Sequence, residues 1–114
     1  MKEQIEFTEF LEIEKKLEIT IGKIIEVEEV PKAKKLLKLT VDFGEETTRS
    51  VITNIKTQLG DISILENKEM LFVTNLKPTT IMGVESTAMI LPGSQLEVDG
   101  SIISTNGDAG VIIL

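Results

Sequence analysis

The chain has 114 residues, a formal net charge of −7, 41% hydrophobic residues and neither cysteine nor histidine. Its length suits one domain spanning residues 1–114, and the missing residue types exclude disulfide frameworks, thiolate chemistry, ordinary zinc sites and histidine-based general catalysis. No run reaches the length of a membrane span and the acidic N-terminus has no signal-peptide pattern, so a soluble cytoplasmic protein without a membrane partner is expected.

Aromatic residues are scarce, with four Phe and no Tyr or Trp. The core must come from Ile, Leu and Val, which favour strands. Residues 7–16 predict a short helix, with Thr8 as its cap, Glu9 in its first turn and Phe7, Phe10 and Leu11 on its apolar side. That side could pack on the chain's own sheet or on a partner. Leu17–Val30 alternates and predicts a long strand, with Gly22 as the site of a bend or bulge. Pro31 opens a loop. Leu36–Phe43 predicts a second strand with Leu37, Leu39, Val41 and Phe43 on one face. Gly44–Thr47 is a turn, and Thr48–Thr53 returns with Val51 toward the core.

Asn54–Asn67 is irregular, and a short helix or turn capping a barrel end would bury Leu59, Ile62, Ile64 and Leu65. Met70–Leu76 predicts a fourth strand and Ser86–Leu91 a fifth. Pro78–Glu85 is the polar tip between them, where Pro78 ends pairing and Gly83 supplies a positive φ. Residues 92–114 read as an extension of short strands around Leu96–Val98, Ile102–Ile103 and Val111–Leu114. Its apolar end, Val-Ile-Ile-Leu, calls for pairing with a sheet edge in the same chain or a partner. Five short strands with a cap between the third and fourth predict an all-β OB-fold, a five-stranded Greek-key barrel with a short N-terminal helix and a C-terminal extension. An immunoglobulin-like sandwich is the alternative if the tail strands join.

One group of blocks goes further. Asn75-Leu76-Lys77-Pro78, Gly83-Val84-Glu85-Ser86 and Met89-Ile90-Leu91 follow Glu18–Ile24, Pro31…Ala33…Lys35-Leu36, Leu39–Gly44 and Arg49…Val51 in order. Over residues 7–91 the chain resembles the structure-specific tRNA-binding domain family. That domain occurs at the C-terminus of methionyl-tRNA synthetases, as free-standing dimeric proteins, and in the endothelial monocyte-activating polypeptide group. The resemblance implies a non-catalytic module that binds tRNA, a homodimer, an aminoacyl-tRNA synthetase as a further partner, and no cofactor. This chain departs from the family at Thr20, at Thr79, Thr80 and Met82, and at Thr53-Asn54, where basic residues or a Ser-Gly pair are usual.

The charge distribution gives that implication a place. Residues 1–31 hold nine Glu against four Lys, whereas residues 32–38 hold four Lys and no acid. OB-folds contact ligands through strands two and three and through the loops joining strands one to two and four to five. Lys34, Lys35, Arg49 and Lys77 fall there and are the expected phosphate contacts. Asn54, Asn75 and Ser86 offer neutral hydrogen bonds to bases or 2′-hydroxyls, although Asn75 and Ser86 could instead stabilise their own turns. A surface lysine run is also simply a solvated segment. Two readings of another class stay open: a protein-binding relative of secretion-chaperone type, and a dimerisation scaffold. No nucleophile, acid–base or metal-binding constellation points to an enzyme.

Overall fold

Leu37, Leu39, Val41 and Phe43 are all buried, as their alternation predicts. In the computed structural model, which describes residues 1–54, 61–91, 97–98, 101–102, 105 and 107–114, they line the inner face of a curled sheet. The helix α1 (Phe7–Lys16) precedes β1 (Ile19–Glu29), β2 (Leu37–Asp42) and β3 (Arg49–Thr53). A 3₁₀ turn (Ile62–Leu65) leads to β4 (Glu69–Val73), β5 (Thr79–Ile81), β6 (Val84–Ser86) and β7 (Met89–Ile90). Two-residue strands β8 (Glu97–Val98) and β9 (Ser101–Ile102) pair in the C-terminal extension. The main sheet is antiparallel in the order β3-β2-β1-β4-β7. The fold is therefore mostly β, an OB-like half-barrel with one helix and a small C-terminal sheet.

The long strand β1 organises the sheet by serving two neighbours on opposite edges. Its first half pairs with β4, from Ile19↔Val73 to Lys23↔Glu69. Its second half pairs with β2, from Lys23↔Asp42 to Glu29↔Leu37. The bend falls where the register shifts between Ile24 and Glu26, not at Gly22 as expected. The extra residue, Ile25, is exposed, while Ile24 before it lies in the core and Val27 after it packs against the core, so the bulge resets which parity faces inward. Gly22 has a different reason to be glycine. A Cβ there would lie 2.5 Å from Phe43 Cε1 and 2.6 Å from Val41 Cγ1.

Ile24, Leu37, Leu39, Val41, Val51, Leu65, Met70, Phe72 and Ile90 form the core with Phe43. The rings of Phe43 and Phe72 meet edge to face at 5.2 Å, worth about 0.5–1.5 kcal/mol beyond area burial. Leu65 drops from the 3₁₀ turn into the barrel end, with Ile62 and Ile64 packed behind it. Asp61 fixes that turn by accepting from the Ser63 amide at 3.0 Å and the Ser63 hydroxyl at 2.8 Å. The expected cap is thus present; Leu59 lies outside the described residues.

Three further expectations need correction. Thr8 does not cap α1: Glu6 holds the N-cap position, with no side-chain bond to the helix. Strand β4 stops at Val73, because Thr74 and Asn75 turn their polar groups back toward Glu18. The expected strand Ser86–Leu91 is split, since Ser86 belongs to β6 and pairs with Thr79, while β7 pairs with β4. The polar tip is itself a hairpin. Met82 (φ 50°) and Gly83 (φ 81°) make its two-residue turn, the two-positive-φ geometry that matches strand twist.

The C-terminal residues pair within the chain. Ile19 N–H donates to Leu114 O at 2.9 Å, Ile21 N–H to Val111 O at 2.9 Å, and Ile113 N–H to Ile19 O at 2.8 Å. They fill the edge of β1 that β2 leaves vacant. Their side chains stay exposed, Ile112 at 63%. Helix α1 buries no residue, and Phe7 is 71% exposed.

Candidate nucleic-acid interface

Two successive tight turns build the loop between β1 and β2. Ala33 N–H donates to Val30 O at 3.1 Å, Leu36 N–H to Ala33 O at 3.1 Å, and Val30 N–H to Leu36 O at 3.4 Å. Val30 and Leu37 are buried at its two ends. The loop is therefore anchored, and Lys32, at φ 65°, takes the left-handed conformation that its turn demands. Lys32, Lys34 and Lys35 are exposed. Among the described residues no ion pair neutralises them. Asn54 is exposed at the same end of the barrel, one residue past the Leu37↔Thr53 pair.

Arg49 sits at the other end of β3, opposite Val41. Four residue steps of strand separate it from Thr53, about 13 Å. Its guanidinium is engaged on three sides. Nε and one terminal nitrogen each donate to Glu45 carboxylate oxygens at 2.8 Å. The other terminal nitrogen donates to Thr74 O at 3.1 Å. The guanidinium carbon lies 5.2 Å from the centre of the Phe43 ring. The bond from Arg49 holds the Glu45 carboxyl below its ordinary pKa and raises that of Arg49. Arg49 ties the β2–β3 turn to the end of β4; its charge is already met.

Asn75 and Ser86 are likewise committed to the fold. Asn75 Oδ1 accepts from Glu18 N–H at 2.9 Å and its Nδ2 donates to Lys16 O at 2.7 Å. One amide thus joins the end of α1, the start of β1 and the end of β4. Beside it, Thr74 donates to a Glu18 carboxylate oxygen at 2.7 Å and shares a hydroxyl hydrogen bond with Thr20 at 2.8 Å. Ser86 is buried; its hydroxyl accepts from Ile52 N–H at 3.1 Å and donates to Ala88 O at 3.3 Å. That bond ties β6 to β3 where the sheet curls round on itself. Lys77 is exposed and lines a small hollow with Leu76, Thr79, Ile81 and Met89.

An open groove of about 840 Å³ runs between the β2–β3 turn and the base of the β5–β6 hairpin. Glu45, Glu46 and Glu85 line it with Arg49, Thr48 and Thr87. The Thr87 hydroxyl oxygen is the one buried side-chain polar atom among the described residues without a hydrogen-bond partner. The sequence reading missed this groove. Glu45 and Glu46 read as turn residues and Glu85 as part of a hairpin tip, and nothing local brings them together. The spacing of Glu45 and Arg49, four residues apart, was the available signal for their pair. No group of three or more potential metal ligands is assembled among the described residues.

Residues 19–111 match the family model described as "Putative tRNA binding domain". The chain is 43% identical over 92 residues to a methionine–tRNA ligase of Methanococcoides burtonii, covering 81% of this chain and 13% of the ligase. It therefore spans only about an eighth of that relative's length. Among solved structures, a MetRS-related protein from Pyrococcus horikoshii superposes with a TM-score of 0.72 at 31% identity, covering 99% of this chain and 100% of that one. The CsaA chaperone of Bacillus anthracis superposes with a TM-score of 0.68 at 22% identity, covering 98% and 100%, a likeness of fold alone.

Proposed function

The chain belongs to the tRNA-binding domain family, and from that premise we propose that it is a non-catalytic module holding folded tRNA by backbone charge and shape. The observation that carries this reading is the anchored loop with Lys32, Lys34 and Lys35 exposed and unneutralised among the described residues. A pre-formed cationic loop loses little entropy on binding phosphate, and each phosphate it neutralises releases counterions. Lys34, Lys35 and Lys77 are the phosphate contacts, and Asn54 the neutral donor to a 2′-hydroxyl. Arg49 reaches a phosphate only when Glu45 is displaced. Asn75 and Ser86 serve by holding the elements in place. The site has no exposed ring for stacking, so recognition falls to the shape of a folded RNA.

The protein acts in the cytoplasm, as a homodimer or as the tRNA-holding accessory of a methionyl-tRNA synthetase. Phe7, Phe10 and Ile13 on α1 and Val111–Leu114 expose large apolar side chains that a second copy would cover. The same exposure favours a second reading, a protein-binding module of chaperone type. Light scattering separates them. A dimer assigns the face to a second copy. A monomer that suppresses aggregation of an unfolded protein supports the second reading.

Filter binding of total tRNA tests the main proposal. Wild type should bind at about 50 mM salt, with a log–log salt slope that falls by about 0.9 for each phosphate contact removed by Lys34→Glu and Lys35→Glu. No binding by wild type at that salt, or unchanged slopes in both variants, overturns it.

A further inference from the structure

An OB-like barrel that holds extended nucleic acid does so across its second and third strands, between the loops joining strands one to two and four to five. Such grooves are positively charged and present rings on which bases stack. The groove of this chain lies at the β2–β3-turn end of that face, beside the β5–β6 hairpin, and has the opposite character. Three carboxylates, Glu45, Glu46 and Glu85, line it. The chain's one arginine also lines it, but both Glu45 oxygens grip its guanidinium and its remaining terminal nitrogen donates to Thr74 O. The nearby ring of Phe43 is buried beneath that arginine, and the Phe72 ring lies in the core. A phosphate entering the groove would meet like charge, no available cation and no stacking surface.

We propose that Glu45, Glu46 and Glu85 are specificity determinants that keep single-stranded RNA out of this groove, so that RNA is taken at the exposed lysines outside it. The inference rests on the tRNA-binding reading above and deepens it. A folded RNA presents a convex, rigid backbone and needs only projecting cations outside the groove. A single strand is flexible and gains affinity mainly by lying along a groove that tracks its phosphates. Carboxylates in the groove therefore penalise the single strand and leave the folded molecule largely untouched. Specificity of this kind comes from repulsion against the wrong partner rather than from added attraction to the right one. Glu45 contributes twice, by its own charge and by occupying Arg49.

The test compares Glu45→Gln/Glu46→Gln/Glu85→Gln with a control of equal net charge, Glu3→Gln/Glu9→Gln/Glu12→Gln, whose sites lie outside the groove. Fluorescence anisotropy measures binding of poly(U) and of total tRNA at about 0.1 M salt, where a screening length of about 10 Å separates the groove from the lysine loop. The groove variant should bind poly(U) about tenfold more tightly than the control and with a steeper salt dependence, while the two bind tRNA equally. Poly(U) affinity within about threefold of the control overturns the inference, whatever tRNA does. Should the triple variant fail to fold, Glu46→Gln/Glu85→Gln keeps the Arg49–Glu45 pair and decides against a Glu3→Gln/Glu12→Gln control. A gain of about threefold for poly(U) supports exclusion, and equality overturns it. Failure of wild type to bind tRNA in the same experiment removes the tRNA reading without altering the poly(U) comparison.

Discussion

Replacing Arg49 with glutamine removes three contacts at once, and their sizes can be estimated separately. The pair with Glu45 is bidentate, but the Glu45 side chain is 46% exposed, which limits the pair to about 0.5–1 kcal/mol. The bond to Thr74 O has a charged donor and is part-buried, worth about 1.5 kcal/mol. The guanidinium over the Phe43 ring adds about 0.5–1 kcal/mol. Neighbouring contacts are not additive and the freed groups recover some hydration, so the net loss should be about 2 kcal/mol. For a domain of this size that lowers the melting temperature by roughly 8–10 °C.

Urea denaturation of wild type, Arg49→Gln, Glu45→Gln and the double variant measures both the total and the Arg49–Glu45 coupling, expected at about 0.5–1 kcal/mol. The outcome also decides what Arg49 is for. A variant that unfolds within about 0.5 kcal/mol of wild type yet loses tRNA affinity sharply would make Arg49 an RNA contact. The view of it as the tie between the β2–β3 turn and the end of β4 would then be wrong.

Other substitutions probe the fold at single points. Gly22→Ala places a Cβ 2.5 Å from the Phe43 ring and should cost about 1–3 kcal/mol in chemical denaturation. Ser86→Ala leaves the buried Ile52 N–H without its acceptor, and should lower stability by about 1–3 kcal/mol while loosening the β3–β6 seam in amide exchange. Acid titration checks the Glu45 pair. The bond from Arg49 depresses the Glu45 pKa from its ordinary 4.5, so its stabilisation is complete above that value and is lost as pH falls through the lower folded value. The stability gap between wild type and Glu45→Gln should therefore be constant near neutrality and close only in acid.

Local periodicity carried much of the fold. The alternation Leu37, Leu39, Val41, Phe43 predicts the inner face of β2, and the apolar end of the chain predicts its pairing with an edge. Both are consequences of period-two burial and of apolar area that water disfavours. What local pattern could not supply was whatever depends on a distant partner. Gly22 is explained by Phe43 pressing on it, and no local pattern distinguishes that from a bulge. Asn75 bonds Lys16 and Glu18, 59 and 57 residues away, and Ser86 bonds Ile52, 34 residues away. A polar residue in a turn-like context reads as a turn former or ligand contact until the tertiary partner is seen. The lysine loop was legible because charge and anchoring are both local. The acidic groove was not, because two loops supply it.

An acidic protein can hold an anion only where its own charge is screened from the binding loop, and this predicts an unusual salt response. The register puts the lysine end of β2–β3 at Leu37↔Thr53 and the groove end at Val41↔Arg49, about 13 Å apart. The screening length is about 10 Å at 0.1 M salt and about 30 Å at 0.01 M. Near 0.1 M the loop thus acts as a local patch of cations, and affinity should fall steeply as salt rises, as for a basic binder. Toward 0.01 M the groove carboxylates and the net charge of −7 come into view of the same phosphates. The log–log plot of tRNA affinity against salt should therefore flatten or turn over on dilution, where a basic binder continues to tighten. Neutralising Glu45, Glu46 and Glu85 should restore part of the linearity. A single straight line for wild type across the whole range would mean that the lysine loop does not feel the rest of the molecule, and the screening argument would fail.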